Sequence, residues 1–129
     1  MRREPNFYDG GVYVGAGEVW RKTRDHLRFY GVAEPIRDLI LAAIGGARAR
    51  YYYARDDFDP LSDHFALGRL YGVRIAQDAM LRTAQNLRVA DSVVRPLLYG
   101  LDDHADAISG TALAAFDRLS SGGRDGRDG

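Results

Sequence analysis

No cysteine occurs among the 129 residues. That excludes a disulfide framework, a thiol nucleophile and any Cys-ligated zinc or iron–sulfur centre. Lysine is nearly absent too: Lys22 stands alone beside 17 arginines, against 15 aspartates and three glutamates (Glu4, Glu18, Glu34), so the formal net charge is zero. A generic electrostatic nucleic-acid binder shows a basic excess, and this chain has none. No apolar run approaches the ~18–20 residues of a membrane span; the longest, Leu39 to Ala47, is far shorter. Behind Met1-Arg2-Arg3 there is no apolar stretch of the kind a cleaved secretory signal needs. The expectation is a cytoplasmic protein, or one exported without a cleaved signal peptide. Gly-Lys-Ser/Thr and Gly-x-Ser-x-Gly are also missing, which removes the Walker phosphate loop and the nucleophile elbow.

What is present is one domain's worth of chain, 46% hydrophobic and 28% charged, a composition that folds around a single core. Val19, Trp20, Thr23, Leu27 and Tyr30 fall at helical spacing over 17–30, with Gly31 where a C-terminal cap belongs. A second apolar stripe, Ile36, Leu39, Ile40, Ala43, Ile44 and Ala47, predicts a helix over 34–55, with Gly45-Gly46 as a kink, an end or a point of close approach. The strongest pattern runs over 60–88, with Asp59 as N-cap, Pro60 as first residue and a row of small residues, Gly68, Gly72, Ala76 and Ala79. Such a row lets another backbone come close. Leu97, Leu101, Ala105, Ile108, Ala112, Phe116 and Leu119 predict a last helix over 92–120, whole or in two halves that part at Gly100.

Phe7 to Ala16 reads differently. Aromatic and β-branched residues flank Asp9-Gly10-Gly11, a turn signal. The predicted architecture is therefore all-α: a small bundle of three long helices plus one short one over 17–120, an extended or hairpin-like N-terminal arm over 1–16, and a flexible Gly/Arg/Asp tail over 121–129.

Arg48-Ala49-Arg50-Tyr51-Tyr52-Tyr53-Ala54-Arg55 is the most unusual run. Arg and Tyr are the residue types enriched at binding hot spots. Three consecutive tyrosines cannot all face one core, so at least one is expected at the surface or in an interface. Asp56, Asp57 and Asp59 follow directly and repel a phosphate backbone, which favours a protein partner over nucleic acid. The expected interface comprises Phe7, Tyr8 and Tyr13 of the arm, Arg48, Arg50, Tyr51, Tyr52, Tyr53 and Arg55, and the small-residue face at Gly68 and Gly72.

Each histidine follows an aspartate: Asp25-His26, Asp63-His64, Asp103-His104. Neighbours on a helix point ~100° apart, so the members of a pair do not face one site. Helix ends favour Asp in any case. A metal centre would have to collect His26, His64 and His104 with Asp103 and Asp106; no Glu-x-x-His or His-Glu-x-x-His supports it. Satisfied surface histidines are the simpler expectation, with no cofactor. Arg21 and His26, five apart, resemble the Arg–His spacing in HEPN-type helical RNases over six residues. That resemblance implies His26 as acid–base group and Arg21 as a phosphate contact, although in that family the pair sits late in the bundle. The sequence thus points to a non-enzymatic assembly or adaptor subunit that self-associates or docks on a larger complex, of the kind found in phage particles, secretion machines or bacterial compartments. A small hydrolase, RNase or metal-binding protein is the alternative.

Overall fold

In the computed structural model the backbone is described over residues 3–128 and the side chains over residues 3–121. Four helices follow in order: α1 (Phe7–Phe29), α2 (Ile36–Ala49), α3 (Asp63–Asn86) and α4 (Asp91–Asp128), with a one-turn 3-10 helix at Tyr52–Ala54 between α2 and α3. The expected helical bundle is found, with three long helices and one shorter one. The shorter one is α2 and not the first. No strand occurs among the described residues.

The hairpin or arm expected over 1–16 is corrected from Phe7 onward. Those residues are the first turns of α1, and among the described residues, 3–6 precede it outside regular structure. Asn6 caps the helix by accepting from the Asp9 N–H. The Asp9-Gly10-Gly11 signal misleads because its glycines serve a tertiary need. A Cβ on Gly11 would lie 2.2 Å from the Phe65 carbonyl oxygen, and one on Gly15 2.1 Å from that of Arg69. From the other side, a Cβ on Gly68 would lie 1.9 Å from the Tyr8 carbonyl oxygen and one on Gly72 2.3 Å from that of Val12. Residues 8 and 12 thus follow 68 and 72 in the same direction, so α1 and α3 run parallel with backbone on backbone. Two Gly-x-x-x-Gly pairs form one seam, the geometry that small residues permit between close helices. The Gly68/Gly72 face expected to meet another chain is spent on α1.

Helix α2 lies antiparallel against α1 and α3, and α4 runs antiparallel along α3. Leu27, Ile40, Ile44, Val73, Met80 and Leu101 are buried together between them. Trp20 packs against this core. Helix α3 starts later than the sequence suggests. Ser62 is the N-cap, accepting from the Phe65 N–H, while Asp59 accepts from Leu61 in a turn upstream. Neither Gly45-Gly46 nor Gly100 breaks its helix. The tail expected at 121–129 lies, from Gly122 on, outside the residues whose side chains are described.

Two helix ends close alike. Gly31 donates to Arg28 and Val32 to Leu27; Arg88 donates to Gln85 and Val89 to Ala84. Both are Schellman motifs, which require a left-handed residue, here Gly31 (φ 66°) and Arg88 (φ 56°). Glycine takes that conformation freely and arginine does not. Gly31→Ala is therefore expected to cost about 1 kcal/mol, and Arg88→Gly to stabilise by up to about 1 kcal/mol. Paired thermal or urea unfolding curves check both signs.

Candidate functional site

The chain between α2 and α3 folds its aromatic run outward. Tyr51 is half-buried, while Tyr52 and Tyr53 keep 55% and 52% of their surface exposed. The run does not continue α2, which ends at Ala49. The 3-10 turn redirects successive tyrosines so that they leave the helix axis on different sides. The Arg48 guanidinium lies 3.8 Å from the Tyr13 ring centroid and donates to the Tyr13 carbonyl at 3.0 Å. Tyr13 meets Tyr52 edge-on at 6.1 Å, and Arg55 covers Tyr52 at 4.4 Å. Arg48, Tyr13, Tyr52 and Arg55 thus form one stack that holds these long side chains against one another. Arg3 reaches over Tyr53, whose hydroxyl donates to Asp9.

Tyr51 turns the other way. It lines, with Arg50, a groove of about 570 Å³ between α2 and α3. Ala43, Gly46, Ala47 and Ala79 keep its walls low; Tyr71, Asp78 and Arg82 border it. Burial pushes the Tyr51 hydroxyl up from its ordinary pKa, helped by Tyr71 and Asp9. Burial does the same for Tyr8, whose ring lies 6.2 Å from Tyr71. These phenols stay neutral donors and acceptors at physiological pH.

Of the expected interface residues, Tyr13, Arg48, Tyr52 and Arg55 come together in the stack, Tyr53 and Arg3 beside it, and Arg50 and Tyr51 at the groove. Phe7 and Tyr8 belong to the first turn of α1, and Gly68 and Gly72 lie inside the molecule.

The histidines take three separate roles. The His26 Nε2–H donates to the Val93 carbonyl at 2.7 Å and tethers α1 to the start of α4. His64 is exposed beside Glu4 to Tyr8. The His104 Nε2–H donates to Glu18 Oε1 at 3.1 Å. No cluster of three or more His, Cys, Asp or Glu that could hold a metal exists among the described residues, and Asp103 and Asp106 point into solvent.

The constellation that sequence reading missed is Glu18–Arg69–His104. Arg69 grips Glu18 with two bonds, Nε at 3.0 Å and Nη2 at 2.8 Å, and His104 closes the third side. Burial pushes the Glu18 carboxyl up, but hydrogen bonds and charge from Arg69 and His104 outweigh it and hold the carboxyl below its ordinary value. The network joins α1, α3 and α4, and each member satisfies another. No local spacing announces it, since its bonds cross 51 and 86 residues. Asp57 is a second case: the Arg3 guanidinium at 2.6 Å and the Asn6 N–H at 3.0 Å hold its carboxyl low. It anchors the segment before α1.

No described helix is long and apolar enough to cross a membrane. The chain matches no protein-family model, no curated protein and no solved structure.

Proposed function

We propose that this protein is a non-enzymatic assembly or adaptor subunit that presents the Tyr51–Tyr53 region to a protein partner. One observation carries the reading. The Arg48–Tyr13–Tyr52–Arg55 stack stands pre-ordered at the surface with more than half of Tyr52 exposed. Rigid aromatic and guanidinium groups supply contact area at low entropic cost, and they dominate binding energy where they occur. The imidazoles, by contrast, are engaged in structural bonds at His26 and His104, so the hydrolase and RNase reading has no assembled acid–base pair behind it. Placement in a phage particle, secretion machine or compartment stays an analogy of architecture.

Changing Tyr51, Tyr52 and Tyr53 together to Ser is the direct test, read by light scattering of the pure protein and by the mass of the complex recovered from its native source. The expected result is loss of the higher-mass species with helix content unchanged. The same mass distribution in the variant and the wild type contradicts the reading.

A further inference from the structure

Among the cavities, charged clusters and exposed faces of the molecule, two surfaces are opposite in charge and similar in length. The first is the α2–α3 groove. Its α2 wall is apolar and low at Ala43, Gly46 and Ala47. A Cβ at Gly46 would meet nothing within 4 Å, and the neighbouring Leu39 is half exposed. The groove runs from Tyr71 to Thr83 along α3, about 18 Å at 1.5 Å per residue. Its charge is basic. Arg50 lines it, and Arg74 is exposed on the same edge of α3 as Tyr71 and Asp78; neither pairs with a described carboxylate. Arg82 is shared with Asp78.

The second surface is the outer face of α4. Tyr99, Asp103, Asp106, Gly110, Leu113 and Asp117 recur at spacings of four, three, four, three and four, which places them on one stripe. All six are exposed, Tyr99 by 61% and Leu113 by 63%. Asp103, Asp106 and Asp117 form no ion pair among the described residues, and a Cβ on Gly110 would meet nothing within 4 Å. From Tyr99 to Leu113 the stripe is about 21 Å long at 1.5 Å per residue, close to the length of the groove. It is an acidic ridge with an apolar residue near each end and a smooth middle.

We propose that the α4 stripe of one copy docks in the α2–α3 groove of a second copy, with Asp103 and Asp106 meeting Arg50 and Arg74. Charge complementarity selects this occupant: a basic groove with an apolar α2 wall faces an acidic ridge with apolar ends. The α3 residues that meet α4 (Ala66, Arg69, Gln77) and those that line the groove (Tyr71, Ile75, Asp78, Arg82) lie on opposite sides of α3 by helical spacing. Donor and acceptor surfaces therefore do not coincide, the contact is head-to-tail, and repetition builds an open chain or a ring. The proposal rests on the assembly reading above and, of the region that reading presents, engages Arg50 and Tyr51.

The test is a charge exchange followed by sedimentation velocity at low salt. The wild type is expected to show a mass that rises with concentration and falls on adding salt. The groove variant Arg50→Glu/Arg74→Glu and the helix variant Asp103→Arg/Asp106→Arg are each expected to associate at least about tenfold more weakly. Mixed in equal amounts, each offers the other a complementary surface, and association returns. This recovery also shows that both variants are folded. Three results overturn the docking: a wild type that stays monomeric, variants that associate as the wild type does, or a mixture that does not recover. A groove that takes up a synthetic acidic amphipathic peptide while the wild type remains monomeric gives the site to a foreign helix and likewise overturns it. Association that ignores both reversals sinks the docking mode alone. A protein that is monomeric in its native source sinks the assembly reading itself.

Discussion

Gly68→Ala is expected to lower the thermal midpoint by about 10–15 °C, the equivalent of about 3 kcal/mol for a domain of this size. The added methyl would sit 1.9 Å from the Tyr8 carbonyl oxygen, where ordinary contact begins near 3.4 Å. Backbone cannot step aside as a side-chain tip can, so α1 and α3 must part along the seam. Gly72→Ala and Gly11→Ala meet the Val12 and Phe65 carbonyls in the same way and should fall in the same range. Two contrasts make the argument specific. Gly17→Ala meets only the Arg48 guanidinium, at 2.6 Å, so it should cost less and disturb the stack on Tyr13. Gly100→Ala meets nothing within 4 Å and should stabilise α4 by up to about 1 kcal/mol through helix propensity. Thermal unfolding of the five variants checks the order. Equal losses at Gly68 and Gly100 would remove the seam from the account.

Loss of one member of the Glu18–Arg69–His104 network has the second largest expected effect. Arg69→Met leaves the Glu18 carboxylate half-enclosed with only His104 for company. Removing one partner of a fully buried pair costs about 3–5 kcal/mol; the site here is partly open to water, so about 2–3 kcal/mol is expected. Glu18→Gln keeps the shape, drops the charge and should cost somewhat less. A double-mutant cycle between the two should show coupling of about 1 kcal/mol or more, and strict additivity would contradict a shared network. The pH response has a definite sign. The folded Glu18 carboxyl sits below its unfolded value near 4.5, so its stabilisation is whole above that value and is lost as pH falls through the folded one. Glu18→Gln should therefore lose less stability than the wild type on acidification below about pH 4.5.

Much of the bundle is legible in the chain, because most of its helices declare themselves locally. The apolar stripe from Ile36 to Ala47 and the one from Leu97 to Leu119 each predict the helix that forms. Gly31 closes α1 as its position suggests. The first helix is legible only in its second half. Gly10, Gly11 and Gly15 depress local helix propensity, and the reason they are glycine lies far along the chain: the Asp57 carbonyl for Gly10, and the Phe65 and Arg69 backbone for Gly11 and Gly15. One side of the seam, Gly68 and Gly72, is visible as a close-approach row in an unmistakable helix. The other looks like a turn until the two are set together. Propensity yields here to packing, as it does wherever a tertiary contact demands a poor helix former.

The surface divides in the same way. A run of three tyrosines between arginines announces an exposed aromatic on counting grounds alone, and Tyr52 and Tyr53 are exposed. Which arginine stacks on which ring follows only from the fold, since Arg48 finds Tyr13 across 35 residues. The histidines show the limits of adjacency. Asp103 and His104 point apart, as adjacent helix positions must: His104 turns inward to Glu18 while Asp103 stays in solvent. The neighbour that matters is on another helix.

The most direct test of the central claim is the native mass of the protein in the cell that makes it, measured on the endogenous chain by a gentle separation and compared with the 14.3 kDa of a single copy. The account predicts a species several times heavier that dissociates when Tyr51, Tyr52 and Tyr53 become serine. A single copy running alone at 14.3 kDa, unchanged by those substitutions, would contradict it.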